Sequence, residues 1–204
     1  MHKIVDFHFD LGSPASYLAW TQLPALCARQ GATLRYRPML LGGVFQATGN
    51  ASPVSIPAKG RYMFADLARF AARYGVPYGL PPGFPVNTLT LMRGVVGTQL
   101  RSPERFEALL AVLFNGLFVQ RRNLSDSAVL DETLAQGGFD PQAFHTLAAD
   151  DEVKAALRQA TEVAVARGVF GAPTCFVGDE MFFGQDRLDF VEAALRQGAS
   201  SLSS

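Results

Sequence analysis

The sequence predicts an α/β fold in which a strand–helix–strand unit and a strand–strand–helix unit frame a block of helices. Three observations predict it. Residues 3–10, KIVDFHFD, alternate with period two, the repeat of a strand. From Thr88 to about Val165 the apolar residues recur at helical spacing. After Pro173, two short apolar runs flank Gly178-Asp179 and read as a hairpin. The expected division places residues 1–45 and 166–204 in the frame and 46–165 in the helical insertion.

Taken in order, the first strand carries Val5, Phe7 and Phe9 on one side and Asp6, His8 and Asp10 on the other, with His8 expected to be structural. It stops at Leu11-Gly12-Ser13-Pro14. A serine oxygen can cap free amides while proline sits at the first helical position, so a helix is expected from Pro14 to Gln30, ending at Gly31. Its inward residues are Tyr17, Leu18, Leu23, Leu26 and Cys27. Thr33–Pro38 reads as the next strand, completing a βαβ unit whose crossover is right-handed. Residues 42–60, with their glycines, prolines and serines, are expected to be one long irregular loop. A helix follows from Arg61 to about Tyr74, then an irregular stretch holding Pro77, Pro81, Pro82 and Pro85. In the helical block, broken at Asn123 and Gly137-Gly138, the stripe Phe106, Leu109, Leu110, Leu113, Phe114 and Leu117 reads as bundle core. The closing helix should run from about Asp186 to Gln197.

Of the 204 residues 49% are hydrophobic and 18% charged, enough for a substantial core. Lys+Arg and Asp+Glu are both 18, which leaves no cationic excess to neutralise phosphates and disfavours nucleic acid as a partner. The opening MHKIVDFHFD has no long apolar run or small-residue cleavage site. No stretch reaches the roughly 18 uninterrupted apolar residues of a membrane span, and a soluble cytoplasmic protein is the expectation. Cys27 and Cys175 stand far apart with no metal-ligand spacing around them. Both are expected to be small buried apolar residues, with no disulfide framework and no metal. His2 and His145 are expected at the surface.

Three segments could carry chemistry. Ser13-Pro14-Ala15-Ser16 lies where a strand meets a helix N-terminus, and free amides with the helix dipole favour an anion there. A plain N-cap is the simpler use of the same serine. Gly171-Ala172-Pro173-Thr174 places proline at the entry to a strand, which suits a cis bond with free Ala172 backbone groups, or an edge-strand start. Gly184-Gln185-Asp186-Arg187 opens the last helix, where amides could take a carboxylate and Asp186 an ammonium. Ordinary capping by Asp186 is the alternative.

Together FDLGSPASYLAW, LRYRPMLLGGVF, GN, KGRYMFADL and GVFGAPTCFVGDEMFFGQDRL resemble the 2-hydroxychromene-2-carboxylate isomerases and the related kappa-class glutathione transferases. The resemblance runs from Val5 to about Leu195. It implies a thioredoxin-like domain interrupted by an inserted all-helical domain, a cis Pro173, glutathione as cofactor, a small aromatic carboxylate as substrate, and it allows a homodimer. Ser13 matches the catalytic serine that hydrogen-bonds the glutathione sulfur. Ala172, before Pro173, matches the position whose backbone pairs with the cysteinyl unit. Gln185 and Asp186 match the pair that grips the γ-glutamyl end, and Asn50 matches a glutathione-contacting asparagine. Lys59 lies in a segment expected near glutathione or substrate and is the first choice of cation for the substrate carboxylate. Asn87 is the other substrate-side candidate. Gly12 and Gln185 depart from the residues such proteins often carry.

The implied activity is isomerisation of the 2-hydroxychromene-2-carboxylate to trans-o-hydroxybenzylidenepyruvate type, by reversible addition of a thiolate. Conjugation or peroxide reduction is the alternative within the same families. A redox-inactive thioredoxin-like binding domain is the alternative of another class. Ser13 to Ser16 holds no cysteine, which disfavours a disulfide oxidoreductase.

Overall fold

A computed structural model describes residues 3–200, so His2 lies outside the described residues. The frame is a four-stranded sheet in the order β2-β1-β3-β4. Strand β1 (Lys3–Phe9) pairs in parallel with β2 (Ala32–Pro38) and antiparallel with β3 (Thr174–Val177), and β3 forms the hairpin with β4 (Glu180–Phe183). Helix α1 (Pro14–Gln30) makes the β1–β2 crossover. Between β2 and β3 lie α2 (Leu41–Thr48), α3 (Pro57–Tyr74), α4 (Leu89–Arg101), α5 (Phe106–Phe118), α6 (Ser127–Gln136), α7 (Pro141–Ala149) and α8 (Asp151–Ala166). A 3-10 turn, Gln185–Arg187, leads into α9 (Leu188–Ser200). The expected cut between residues 45 and 46 falls inside α2.

The first strand's apolar side is fully buried against α1 and the insertion, so frame and helical block share one core. Phe9 meets Phe114 of α5 at 6.1 Å between ring centroids, and Tyr17 of α1 meets Phe118 at 5.4 Å. Burying each such side chain stabilises the fold by roughly 1.5–3 kcal/mol. The α5 stripe is therefore packed core.

The other side of β1 is buried too, although its residues are polar. Helices α2 and α8 pack there around a second small core of Met39, Val44, Ala164, Val169 and Phe176. Asp6 can be buried because three guanidinium groups surround it, those of Arg35, Arg37 and Arg167 at 2.9–3.0 Å. Burial alone would push its carboxyl up, yet the three cations outweigh burial and hold it at about 2. His8 lies against the Phe176 ring at 5.5 Å, and neither ring nitrogen has a hydrogen-bond partner. Burial, helped by the Arg167 charge, pushes its pKa down to about 4, so the ring packs as a neutral group. His145 is half-buried and pairs with Asp131 at 2.6 Å.

Residues 42–60 are not one irregular loop. Helix α2, a 3-10 turn at Pro53–Ser55 and the first turn of α3, which starts at Pro57, occupy most of the stretch. Glycine lowers intrinsic helix propensity by about 1 kcal/mol, and tertiary packing overrides it. At Gly43 the absent side chain lets α2 approach α8, since a Cβ there would stand 3.2 Å from the Thr161 methyl. No helix among the described residues is long and apolar enough to cross a membrane.

The buried neutral His8 makes stability sensitive to acid. Its folded-state pKa lies below the ordinary value of 6.5, so the unfolded chain takes up the extra proton. Its contribution is complete above about pH 6.5 and is lost as the pH falls towards 4. At pH 5 that loss is about 2 kcal/mol. In His8→Phe the drop in unfolding free energy between pH 7 and pH 5, measured by urea titration, should shrink by that amount. Equal drops in the two proteins would show that another group controls acid sensitivity.

Candidate active site

The turn between β1 and α1 is organised by Asp10. One of its carboxylate oxygens accepts the Gly12 amide and the Thr88 hydroxyl, the other accepts the Leu41 amide, each at 2.7 Å. Its main-chain carbonyl accepts the Ser13 amide at 3.0 Å. One buried side chain thus ties the start of α1 to the starts of α2 and α4. Burial pushes the Asp10 carboxyl up, and the three donors act the other way. Gly12 fits beneath Thr88, where a Cβ would come within 3.3 Å of both Asp10 and the Thr88 methyl. Sequence reasoning missed Asp10 and Thr88. The signal for Asp10 was an acidic residue closing a strand immediately before a Gly-Ser turn.

Ser13 sits where α1 begins. Its Oγ accepts the Ser16 amide at 3.1 Å, as an N-cap does, and donates to the Ala172 carbonyl at 2.9 Å. The Ala172–Pro173 peptide bond is cis. The Ala172 N–H has no hydrogen-bond partner among the described residues. Next to this pair, the Gly184 amide donates to the Pro173 carbonyl at 3.0 Å and draws in the Gln185–Arg187 turn. The Tyr74 hydroxyl steadies that turn from α3, donating to the Gln185 carbonyl at 2.6 Å. Asp186 pairs with its neighbour Arg187 at 2.5 Å. Asn50 reaches across from the end of α2, its amide donating to the Phe170 carbonyl at 2.8 Å.

These segments enclose a cavity of about 740 Å³ that brings together Ser13, Asn50, Lys59, Ala172, Pro173, Gln185 and Asp186. Asn87 is not among its lining residues; exposed, it accepts the Leu89 amide at 3.0 Å at the start of α4. The polar groups lie against an apolar wall of Phe45, Ile56, Tyr62, Met63, Phe170 and Phe183. Tyr62 is 65% exposed and Ile56 48%, so apolar surface faces solvent at the cavity rim. Exposed apolar surface around a concave site suits a ligand with an apolar part. Lys59 and Arg187 supply positive charge and Asp66 and Asp186 negative, so the cavity can meet a ligand carrying both signs. Neither cysteine lines it. Burial pushes the Cys27 thiol up to about 11 and the Cys175 thiol higher, which keeps both protonated.

A family model described as a DSBA-like thioredoxin domain matches residues 4–196. The 2-hydroxychromene-2-carboxylate isomerase of Sphingobium xenophagum is 34% identical over 197 residues, covering 96% of this chain and 99% of its own. Glutathione S-transferase kappa 1 of Rattus norvegicus is 27% identical over 204 residues, covering 93% of this chain and 89% of its own. A solved structure of a 2-hydroxychromene-2-carboxylate isomerase superposes with a TM-score of 0.86 at 32% identity, covering 98% of this chain and all of the other.

The Asp10 cluster can be tested with a near-isosteric change. Thr88→Val removes one of three donors from a buried carboxylate, which should cost about 1–3 kcal/mol in urea unfolding. Thr88→Ser keeps the donor and should recover most of the loss. Identical midpoints for the valine and serine variants would mean that the hydroxyl contributes nothing.

Proposed function

The chain belongs to the 2-hydroxychromene-2-carboxylate isomerase family of DSBA-like thioredoxin-domain proteins, and from that premise we propose that it is a glutathione-dependent isomerase. The substrate class we infer is an aromatic carboxylate of the 2-hydroxychromene-2-carboxylate type. The observation that carries this reading is the meeting of Ser13 with Ala172 in the wall of a cavity that also gathers Asn50, Lys59, Gln185 and Asp186.

The donor set suits a γ-glutamyl tripeptide. The unpaired Ala172 amide can receive the carbonyl of an extended peptide. Asp186 can take an ammonium if the ligand competes with Arg187. Gln185 and Asn50 supply further polar contacts. When bound, glutathione would supply a thiolate nucleophile that adds to a conjugated double bond and leaves again after rotation. Ser13 and the N-terminus of α1 would hold that sulfur in its charged form. The Ser13 hydroxyl has a single proton, given to Ala172 in the structure described, so assisting a thiolate requires the hydroxyl to turn. Lys59 would face the substrate carboxylate, and the Phe45, Tyr62 and Phe183 wall would exclude water from the aromatic ring. In this reading residues 1–45 and 166–204 hold glutathione, while 46–165 contribute Asn50, Lys59 and, through Ile56, Tyr62 and Met63, half of the apolar wall.

The similarity to the kappa transferase favours a second reading, conjugation or peroxide reduction at the same site. Glutathione would be consumed in that case and is returned by an isomerase. A binding domain without catalysis would show no measurable glutathione affinity.

Ser13→Ala tests the mechanism. A hydrogen bond to a charged group is worth roughly 1.5–3 kcal/mol, so the bound thiol pKa should rise by about one to two units. Isomerisation near neutral pH should fall at least tenfold while glutathione still binds. The check is thiolate absorbance of bound glutathione against pH, and superimposable curves for the two proteins would reduce Ser13 to a helix cap. Asp186→Asn should raise the glutathione concentration needed for half-maximal rate, with a smaller effect on the saturated rate. An unchanged glutathione dependence would return Asp186 to pairing with Arg187.

A further inference from the structure

A second cavity, of about 500 Å³, lies between α2, α4 and α8. It is separate from the one described above, and α2 divides the two. Leu41 and Phe45, four residues apart, line the first, whereas Gly43 and Ala47, also four apart, line the second. That spacing puts the two pairs on different faces of one helix. The floor of the second cavity is apolar, built from Leu40, Leu89, Leu157 and Val165. Its charges are Arg93, Lys154 and Arg158 against a single acid, Glu162. The chain as a whole has a net charge of +0, so this cationic excess is local.

The cations differ in whether they are already paired. Lys154 holds Asp151 at 2.9 Å. Arg93, half-buried on α4, and Arg158, exposed on α8, have no hydrogen bond or ion pair among the described residues. A half-buried guanidinium without an anion is unusual, because a planar fork of donors is best satisfied by a carboxylate. The cavity volume lies in the range of small-molecule sites. From the apolar floor, the unpaired Arg93 and the local charge excess, we propose that this cavity binds an amphipathic organic carboxylate, its head on Arg93 and Arg158 and its apolar tail on Leu157 and Leu89. The glutathione reading above does not bear on it.

The test uses decanoate as the probe, followed by amide chemical shifts of the full chain during titration. Saturating shifts are expected at Ala47, Arg93 and Leu157. Decanol, of equal length without the charge, should bind at least tenfold more weakly. Arg93→Gln with Arg158→Gln should weaken decanoate at least tenfold, whereas Tyr62→Ala in the first cavity should leave its affinity unchanged. Equal affinity for decanol and decanoate on the unaltered protein would overturn the proposal, even if the double variant failed to fold. Shifts confined to the Ser13 and Asn50 region would also overturn it. So would a dimer in solution that covers these amides and takes up no decanoate.

Discussion

The buried carboxylate of Asp10 is the constraint on which the arrangement around the site depends. Three donors from three segments converge on it, and a buried acceptor of this kind is expensive to leave unsatisfied. Their geometry therefore fixes where α1, α2 and α4 begin relative to the end of β1. Ser13 inherits its position from this junction, because its own amide is held by the Asp10 carbonyl. The wall of the main cavity inherits its position as well, since Leu41 and Phe45 belong to the helix whose first amide Asp10 holds.

A second polar arrangement, on the face of the sheet packed by α2 and α8, solves a different problem. A central strand flanked by helices on both sides would ordinarily be apolar throughout. Here Asp6 and His8 occupy that face. Asp6 is matched by arginines from β2 and from the end of α8, and Arg167 also lies over the Phe176 ring at 3.8 Å. His8 stays neutral beside them, because a protonated ring would be both desolvated and close to Arg167. The result joins the end of the insertion to the sheet by charge as well as by packing.

The site itself combines a DSBA-like thioredoxin framework with a side chain that cannot do redox chemistry. Both cysteines are buried away from the cavity, and a hydroxyl stands at the N-terminus of α1. A hydroxyl there can orient and stabilise an anionic sulfur but cannot form a disulfide with it. The proposed use of glutathione follows from that limit, with the ligand bringing the nucleophile and the chain supplying donors, charge and an apolar wall. The bonds from Ser13 to Ala172 and from Arg187 to Asp186 hold these groups in place in the structure described.

Much of the architecture was legible in local pattern. Period-two alternation marked β1, the Ser-Pro pair marked the start of α1, and the Gly178-Asp179 turn between apolar runs marked the β3–β4 hairpin. These signals are local because they follow from backbone geometry and from the capping of nearby amides. The segments around Ser13, Pro173 and Asp186 were legible as motifs for the same reason. What the tertiary structure decided were the properties that depend on a distant partner. Helix α2 forms despite Gly42 and Gly43 because α8 receives it, and the polar side of β1 is buried because Arg167, far along the chain, neutralises Asp6. Asn87 lies outside the cavity, its side chain accepting the Leu89 amide just before α4. The role of Asp10 needed Leu41 and Thr88 to be brought beside it. Alternation and spacing report which residues share a face, whereas burial of a charge is settled only by what folds against it.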